Sequence, residues 1–226
     1  MRDGRMHVIV TAGPTREYLD PVRFLSNPST GKMGFAIAAE AAKRGHKVVL
    51  VAGPVALKTP KGVERVDVVS AREMLGAALA AVGDNKRTTA RETVLIATAA
   101  VADWRPAKCA TKKLKKGEMS GVLKLVRNPD ILKTVDSYRK RSKAVGLRLV
   151  GFAAETDHVL GEAARKCREK GLEFIVANDV TQQGSGFGTD TNKVTFVFPD
   201  GRLRKFPLMT KRMVAKRILK EVENEK

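Results

Sequence analysis

The sequence predicts an α/β fold: a doubly wound, mostly parallel sheet with helices on both faces and a C-terminal hairpin. Short apolar runs alternate with amphipathic stretches along most of the 226 residues, the order of a sheet wound by crossover helices. Those runs are continuous rather than alternating, as in Val48-Val49-Leu50-Val51-Ala52, which suits strands covered on both faces. Near the end the rhythm changes to two β-rich runs around Pro199-Asp200-Gly201, the pattern of a hairpin turn.

In order, residues 7–10 read as a first strand and 35–42 as a helix closed by Lys43-Arg44-Gly45. A strand follows at 47–52, ended by Gly53-Pro54, then a strand at 63–69 and an amphipathic helix at 71–82. After a polar loop at 83–92 comes the apolar strand 93–99. Helical patterns at 129–140 and 157–170 precede strands at 147–153 and 173–177, which completes a Rossmann-like order. Residues 193–198 and 202–206 form the hairpin, and 209–222 a terminal helix. The chain reads as one domain, with 1–5 an N-terminal tail and 108–121 a basic flap.

Between the first strand and first helix lies a long stretch, TAGPTREYLDPVRFLSNPSTGKMG at 11–34. Connections in α/β units usually take about two to six residues, and ligands bind where the first strand hands over to its helix. A ligand-binding loop is therefore expected, with Gly13, Gly31 and Gly34 allowing close approach to an anion at the helix start. Neither common phosphate signature fits: Gly13 is followed by Pro14-Thr15-Arg16 rather than a Gly-x-Gly-x-x-Gly, and Gly31-Lys32 is followed by Met33 rather than Ser or Thr.

The formal charge is +19, and between Arg105 and Arg148 there are 14 Lys or Arg against three acids. A partner that is anionic follows, yet only 5% of residues are aromatic and no stacking motif interleaves with the basic ones, which disfavours nucleic acid. No apolar run approaches the roughly 20 residues that span a bilayer, so a cytoplasmic protein without membrane contact is expected. Cys109 and Cys167 lack Cys-x-x-Cys spacing and read as free thiols.

The carboxyl edge of such a sheet holds its site. Four groups emerge there: Ala100 to Pro106 with Asp103, the basic run Lys112-Lys113-Leu114-Lys115-Lys116, the helix start Asn128-Pro129-Asp130 with Asn128 as its cap, and Phe152 to Thr156 followed by Lys166 and Lys170. Taken singly, Asp103 reads as a turn cap, the lysines as solvated faces and Phe152 as core. Their convergence on one edge, already marked by the long first loop, favours a site.

The stretch TAGPTREYLDPVRFLSNPSTGKMGFAIA, then AAVADWRP, KKLKK, RNPDIL, VGFAAET and ANDV with GFGTDTNKV, resembles in order and spacing the phosphopantothenoylcysteine synthetase family, the ligase of coenzyme A biosynthesis. The resemblance spans nearly the whole chain. It implies a nucleotide-binding acid–amino acid ligase unrelated to the ATP-grasp enzymes. In that reaction 4′-phosphopantothenate attacks the α-phosphorus of CTP, releasing pyrophosphate, and cysteine then displaces CMP from the acyl-cytidylate. By position, Asn27 and Lys113 correspond to catalytic residues, Arg23 and Ala100 to substrate-binding ones. Nucleotide-binding positions are Ala97, Thr98, Ala99, Asp103, Lys113, Pro129, Asp130, Ile131, Leu132, Phe152, Lys166 and Lys170. Mg²⁺ bridging the phosphates is expected, with metal ligands left unassigned.

Many bacterial relatives fuse this ligase to a flavin-dependent decarboxylase. Nothing precedes the first strand here, so no flavin is expected and association with a separate phosphopantothenoylcysteine decarboxylase is implied, as is a homodimer. CTP is favoured over ATP because KKLKK looks like the bacterial flap. Two departures stand out: Trp104 where Tyr or Phe is common, and Lys112 where a common bacterial form has Glu. The competing classes are a nicotinamide-dependent oxidoreductase, disfavoured by the missing glycine fingerprint, and a basic nucleic-acid-binding module, favoured by charge alone.

Overall fold

The computed structural model describes residues 5–84, 92–115, 121–143, 146–155, 159–179 and 184–224. Most of the expected tail, the loop at 85–91, the flap's middle at 116–120 and the start of the 157–170 helix lie outside the described residues. The elements run β1 (His7–Ala12), β2 (Arg16–Tyr18), β3 (Phe24–Ser26), α1 (Lys32–Lys43), β4 (Lys47–Ala52), β5 (Val63–Asp67), α2 (Ala71–Gly83), β6 (Thr93–Ala97), β7 (Trp104–Pro106), β8 (Leu125–Arg127), α3 (Ile131–Ser142), β9 (Leu147–Glu155), α4 (Val159–Glu169), β10 (Phe174–Asp179), β11 (Thr191–Asn192), β12 (Val194–Val197), β13 (Leu203–Lys205), β14 (Met209–Thr210) and α5 (Lys211–Asn224).

The main sheet has the order β13-β12-β10-β9-β6-β1-β4-β5. From β10 to β5 every pairing is parallel, and β12 and β13 add an antiparallel edge. The doubly wound expectation holds. The chain winds outward from β1 through β4 to β5, then returns to β1's other side at β6 and winds the opposite way. Side chains of β1 show why its sequence does not alternate. Val8, Val10 and Ala12 pack in one core with Phe35, Ile37, Ala38 and the α5 residues Val214, Ile218 and Leu219. Ile9 packs in the other with Met74 and Ala78 of α2, Ile131 and Val135 of α3, and Ala163 and Cys167 of α4. Both faces are dry, so both residue parities are apolar. The two cysteines are free, and burial pushes the Cys167 thiol up to about 11.

Boundaries differ from the sequence expectation where a local bond intervenes. Asn128 is not the cap of α3. Asp130 is, its side chain accepting the Lys133 N–H at 3.0 Å, and a carboxylate one residue from the first turn outcompetes an amide two residues further back. The terminal helix begins at Lys211 because Met209 and Thr210 pair with Asn192 and Thr191. Three small ladders, β2–β3, β7–β8 and β11–β14, have strands of two or three residues, too short to show a period in sequence.

Helix α1 lies unusually close to the sheet. A Cβ on Gly34 would sit 2.5 Å from both the Ala12 Cβ and the Thr98 Oγ1, so only glycine lets the helix start reach the seam between β1 and β6. Gly34→Ala is expected to cost about 1–3 kcal/mol through overpacking, read as a lower midpoint in chemical denaturation.

His7 is buried, and neither ring nitrogen has a partner among the described residues. Burial pushes its pKa below 6.5, reinforced by Lys47 and opposed by Asp84 and Glu64. The unfolded chain therefore takes up a proton near 6.5 that the folded chain refuses, so His7's share of stability is intact above that pH and declines as pH falls through it. Melting temperatures from pH 7.5 to 5.5 should drop less steeply in His7→Leu than in the parent; equal slopes would show that the ring is protonated in the fold.

Candidate active site

The carboxyl ends of β1 and β6 face a cavity of about 840 Å³, at the point where the winding reverses and ligands bind in open α/β sheets. Its near wall is α1's first turn. Gly31 precedes the helix at φ 78 with no side-chain cap, and Ser29, Thr30, Gly31, Lys32 and Met33 line the cavity. An uncapped helix start leaves N–H groups available to an anion.

Along the floor, residues 97–100 continue β6 beside the end of β1. Thr98 N donates to Thr11 O at 3.1 Å and Ala100 N to Gly13 O at 2.9 Å. With those donors spent, Ala97, Thr98, Ala99 and Ala100 offer the cavity small side chains and close backbone approach. Asp103 and Trp104 follow on the rim, and Asn128 braces them: its Nδ2 donates to Ala102 O at 2.8 Å, its N–H to Asp103 O at 2.8 Å, and its Oδ1 accepts from Arg105 at 3.1 Å. Arg127 lies over the Trp104 ring at 5.2 Å.

The far wall comes from α3, β9 and α4: Pro129, Asp130, Ile131, Leu132, Phe152, Lys166 and Lys170. Lys170 Nζ pairs with Asp130 Oδ2 at 2.8 Å. Burial raises the Asp130 pKa, but the Lys133 N–H and the Lys170 ammonium outweigh it and hold the carboxyl below its ordinary range. An acidic cap makes α3's start a poorer phosphate receptor than α1's, where the sequence had already marked an anion site.

Asn27 also lines the cavity. Its Nδ2 donates to Ala100 O at 3.0 Å and Val101 O at 3.3 Å, tying the first loop to the chain leaving β6. The other two residues expected there do not line the cavity. Arg23 is off the cavity wall, bonded to Asp20 and to the Leu114 carbonyl, and Lys113 is an exposed residue beside it. The long first loop is correspondingly less of a ligand loop than expected: its middle is the β2–β3 hairpin, and Thr11, Asn27 and 29–34 are the parts at the cavity.

One side of the site was missed in the sequence. The loop 184–192 folds against α1's start, with Lys32 Nζ donating to Gly188 O at 2.9 Å and pairing with Asp190 Oδ1 at 2.7 Å. Lys211, the first residue of α5, donates to the carbonyl oxygens of Gly186 and Thr189. Burial, aided by Lys32 and opposed by Asp190, pushes its pKa down. Lys211, Phe187, Asn178 and Asn192 thereby reach the cavity. GFGTDTN marked the loop in the sequence, whereas Lys211 looked like any residue of a basic helix. Among the described residues no group of three or more His, Cys, Asp or Glu could hold a metal ion, and no helix is long and apolar enough to cross a membrane.

The family described as DNA/pantothenate metabolism flavoprotein C-terminal domain matches residues 4–225. The chain belongs to that family. It is 45% identical over 217 residues to the coenzyme A biosynthesis bifunctional protein CoaBC of Bacillus subtilis, covering 96% of this chain and 50% of that protein. The Escherichia coli K12 protein of the same name is 44% identical over 220 residues, 96% of this chain and 51% of its own length. The chain thus spans about half the length of the curated relatives it matches. Among solved structures, the crystal structure of the C-terminal domain of CoaBC superposes with a TM-score of 0.77 at 40% identity, covering 98% of this chain and 96% of that one. The family's fold is therefore the fold seen here.

Asp130 should act both as a helix cap and as the partner of Lys170. Asp130→Ala is expected to cost about 0.5–2 kcal/mol of stability, the usual value of a lost cap, while Asp130→Asn, which keeps the cap and removes only the charge, should cost far less in urea denaturation.

Proposed function

We propose that this chain is the phosphopantothenate–cysteine ligase of coenzyme A biosynthesis, joining 4′-phosphopantothenate to cysteine through an acyl-cytidylate made from CTP. The observation that carries the proposal is the convergence, in a chain of this family, of Asn27, the α1 start, the 97–100 floor, Phe152, Lys166 and Lys170 on one cavity of about 840 Å³. A carboxylate is a poor acyl donor, so a nucleotide must activate it, and the pocket must gather a triphosphate, a phosphate and a carboxylate against their mutual repulsion. Lysines on two walls and an uncapped helix start meet that demand.

In this reading the nucleotide lies between the floor and the far wall, with Phe152 against the base and Lys166 and Lys170 near the phosphates. Lys113 acts as a further point charge on the triphosphate. Mg²⁺ bound with the nucleotide would supply charge neutralisation at its phosphates, since no group of three or more His, Cys, Asp or Glu among the described residues could hold the ion by itself. Asn27 handles the second half-reaction. Its longer contact, 3.3 Å to Val101 O, is the one an acyl oxygen replaces as negative charge develops on it during attack by cysteine. Donation of this kind is worth about 3–4 kcal/mol elsewhere. Water must be kept from the mixed anhydride in the meantime, which favours a covered site. CTP over ATP follows the resemblance of the flap, and a cytoplasmic homodimer working beside a phosphopantothenoylcysteine decarboxylase, fused or separate, completes the proposal.

Pyrophosphate release on mixing CTP, 4′-phosphopantothenate and cysteine, repeated with ATP, tests the reaction: CTP-dependent release is expected, and its absence with both nucleotides would refute the proposal. In Asn27→Asp, activation should proceed while amide formation stalls, and unchanged overall turnover would remove Asn27 from its role. Lys113→Gln should lose nearly all turnover.

A further inference from the structure

The turn between β2 and β3 closes around one carboxylate. Asp20 has no exposed surface. Its Oδ1 accepts the N–H groups of Val22 and Arg23, both at 2.9 Å, and its Oδ2 accepts Arg23 Nε at 3.0 Å and Nη2 at 2.5 Å. Those bonds would suffice to build a tight turn. Two more leave it and reach a distant part of the chain: Asp20 Oδ2 accepts the Leu114 N–H at 3.2 Å, and Arg23 Nη2 donates to the Leu114 carbonyl at 3.1 Å. The ion pair thus presents one acceptor and one donor to the two backbone groups of a single residue, the complement that a neighbouring strand would offer. A third tie lies four residues back, where Ala110 N donates to Leu19 O at 2.8 Å.

The gripped residue sits inside the basic run. Lys112, Lys113 and Lys115 are exposed around it, with Leu114 half-buried. The hairpin that does the gripping is itself braced. Glu17 Oε1, buried, accepts the N–H of Ala71 at the start of α2 at 2.9 Å, Arg16 N donates to Val69 O at 2.8 Å, and Thr15 Oγ1 accepts the Ala102 N–H at 3.0 Å. Rigid support therefore runs from the sheet edge to the lysines.

We propose that the pair of buried Asp20 and half-buried Arg23 is a positioning clamp that fixes the Leu114 backbone and thereby places Lys113 and Lys115 for contact with an anionic substrate, rather than a substrate ligand in its own right. The physical reason is entropic. A lysine ammonium on a freely moving backbone must be ordered at each binding event, at a cost set by the number of immobilised side chains and loop bonds, whereas a clamped backbone has met most of that cost in folding. The Arg23 guanidinium suits the task because its planar fork can hold the carboxylate and still donate to a carbonyl, which a lysine cannot do in one geometry. Placement of the substrate's phosphates beside these lysines rests on the ligase reading; the clamp on Leu114 does not.

Amide hydrogen exchange on the whole chain tests the clamp directly. The Leu114 N–H should be protected in the parent and exchange at least about tenfold faster in Asp20→Asn and in the milder Arg23→Lys, with the Glu17 and Leu25 amides of the hairpin ladder unchanged. Equal Leu114 exchange in parent and variants would overturn the proposal. CTP binding by calorimetry then tests positioning. Asp20→Asn should weaken binding on the order of tenfold in the parent, within the range that small misplacements cost, but by less than about twofold in a Lys113→Gln, Lys115→Gln background, where neither of the two lysines flanking Leu114 remains to be placed. A full tenfold loss persisting in that background would show that Asp20 acts on the substrate independently of the flap. Should the parent bind no CTP, the ligase reading fails, and Leu114 exchange still decides the clamp.

Discussion

The parallel pairing of β1 with β4 on one side and with β6 on the other sets the geometry of everything at the carboxyl edge. Thr11 stands opposite Val51 and Ala97 at once, so the chain leaving β1 must turn away from the sheet while the chains leaving its neighbours diverge to either side. A crevice results, and it needs no side chain of its own to exist. What makes it a site is the depth to which α1 can enter it, and that depth is set at Gly34, where any Cβ would meet Ala12 and Thr98. A side chain there would hold the helix start, and its free N–H groups, further from the crevice.

Charge is distributed around that crevice with some economy. Of the lysines at the cavity, Lys170 is held by Asp130, Lys32 by Asp190, and Lys211 by backbone oxygens. Each is oriented before a ligand arrives, which reduces the reorganisation that an anion would otherwise impose. The acids involved are held below their ordinary carboxylate range, Asp190 chiefly by its bond to Lys32 and Asp130 against the opposing effect of burial. They remain charged across the neutral range as partners for Lys170 and Lys32. Much of the +19 nevertheless lies away from the cavity, on the outer faces of α3 and α5, and the reaction proposed here does not require it.

The first connection shows how loop length and loop role can diverge. Its 20-odd residues looked like a ligand loop because a helix start and three glycines close it, and the glycine end does line the cavity. The middle is scaffold. Glu17 reaches α2, Thr15 reaches Ala102, Asn27 reaches Ala100, and Asp20 with Arg23 reaches Leu114. Polar side chains in such a segment are equally compatible with binding a ligand and with binding other loops, because both uses need the same donors and acceptors. Only the coordinates separate the two.

The alternation of apolar runs with amphipathic stretches determined the sheet, its parallel core and its hairpin edge, since burial on both faces of a strand and on one face of a helix leaves a period that can be read locally. The resemblance of spaced motifs determined which loops belong together. Tertiary structure alone decided the three two- and three-residue ladders, the cap at Asp130 rather than Asn128, the entry of Lys211 into the cavity and the exit of Arg23 from it. Each of those depends on bonds between residues from six to ninety-one positions apart or on competition between neighbouring polar groups. Such bonds leave no period and little composition in the chain, and their partners are chosen only once the sheet has brought the loops to one edge.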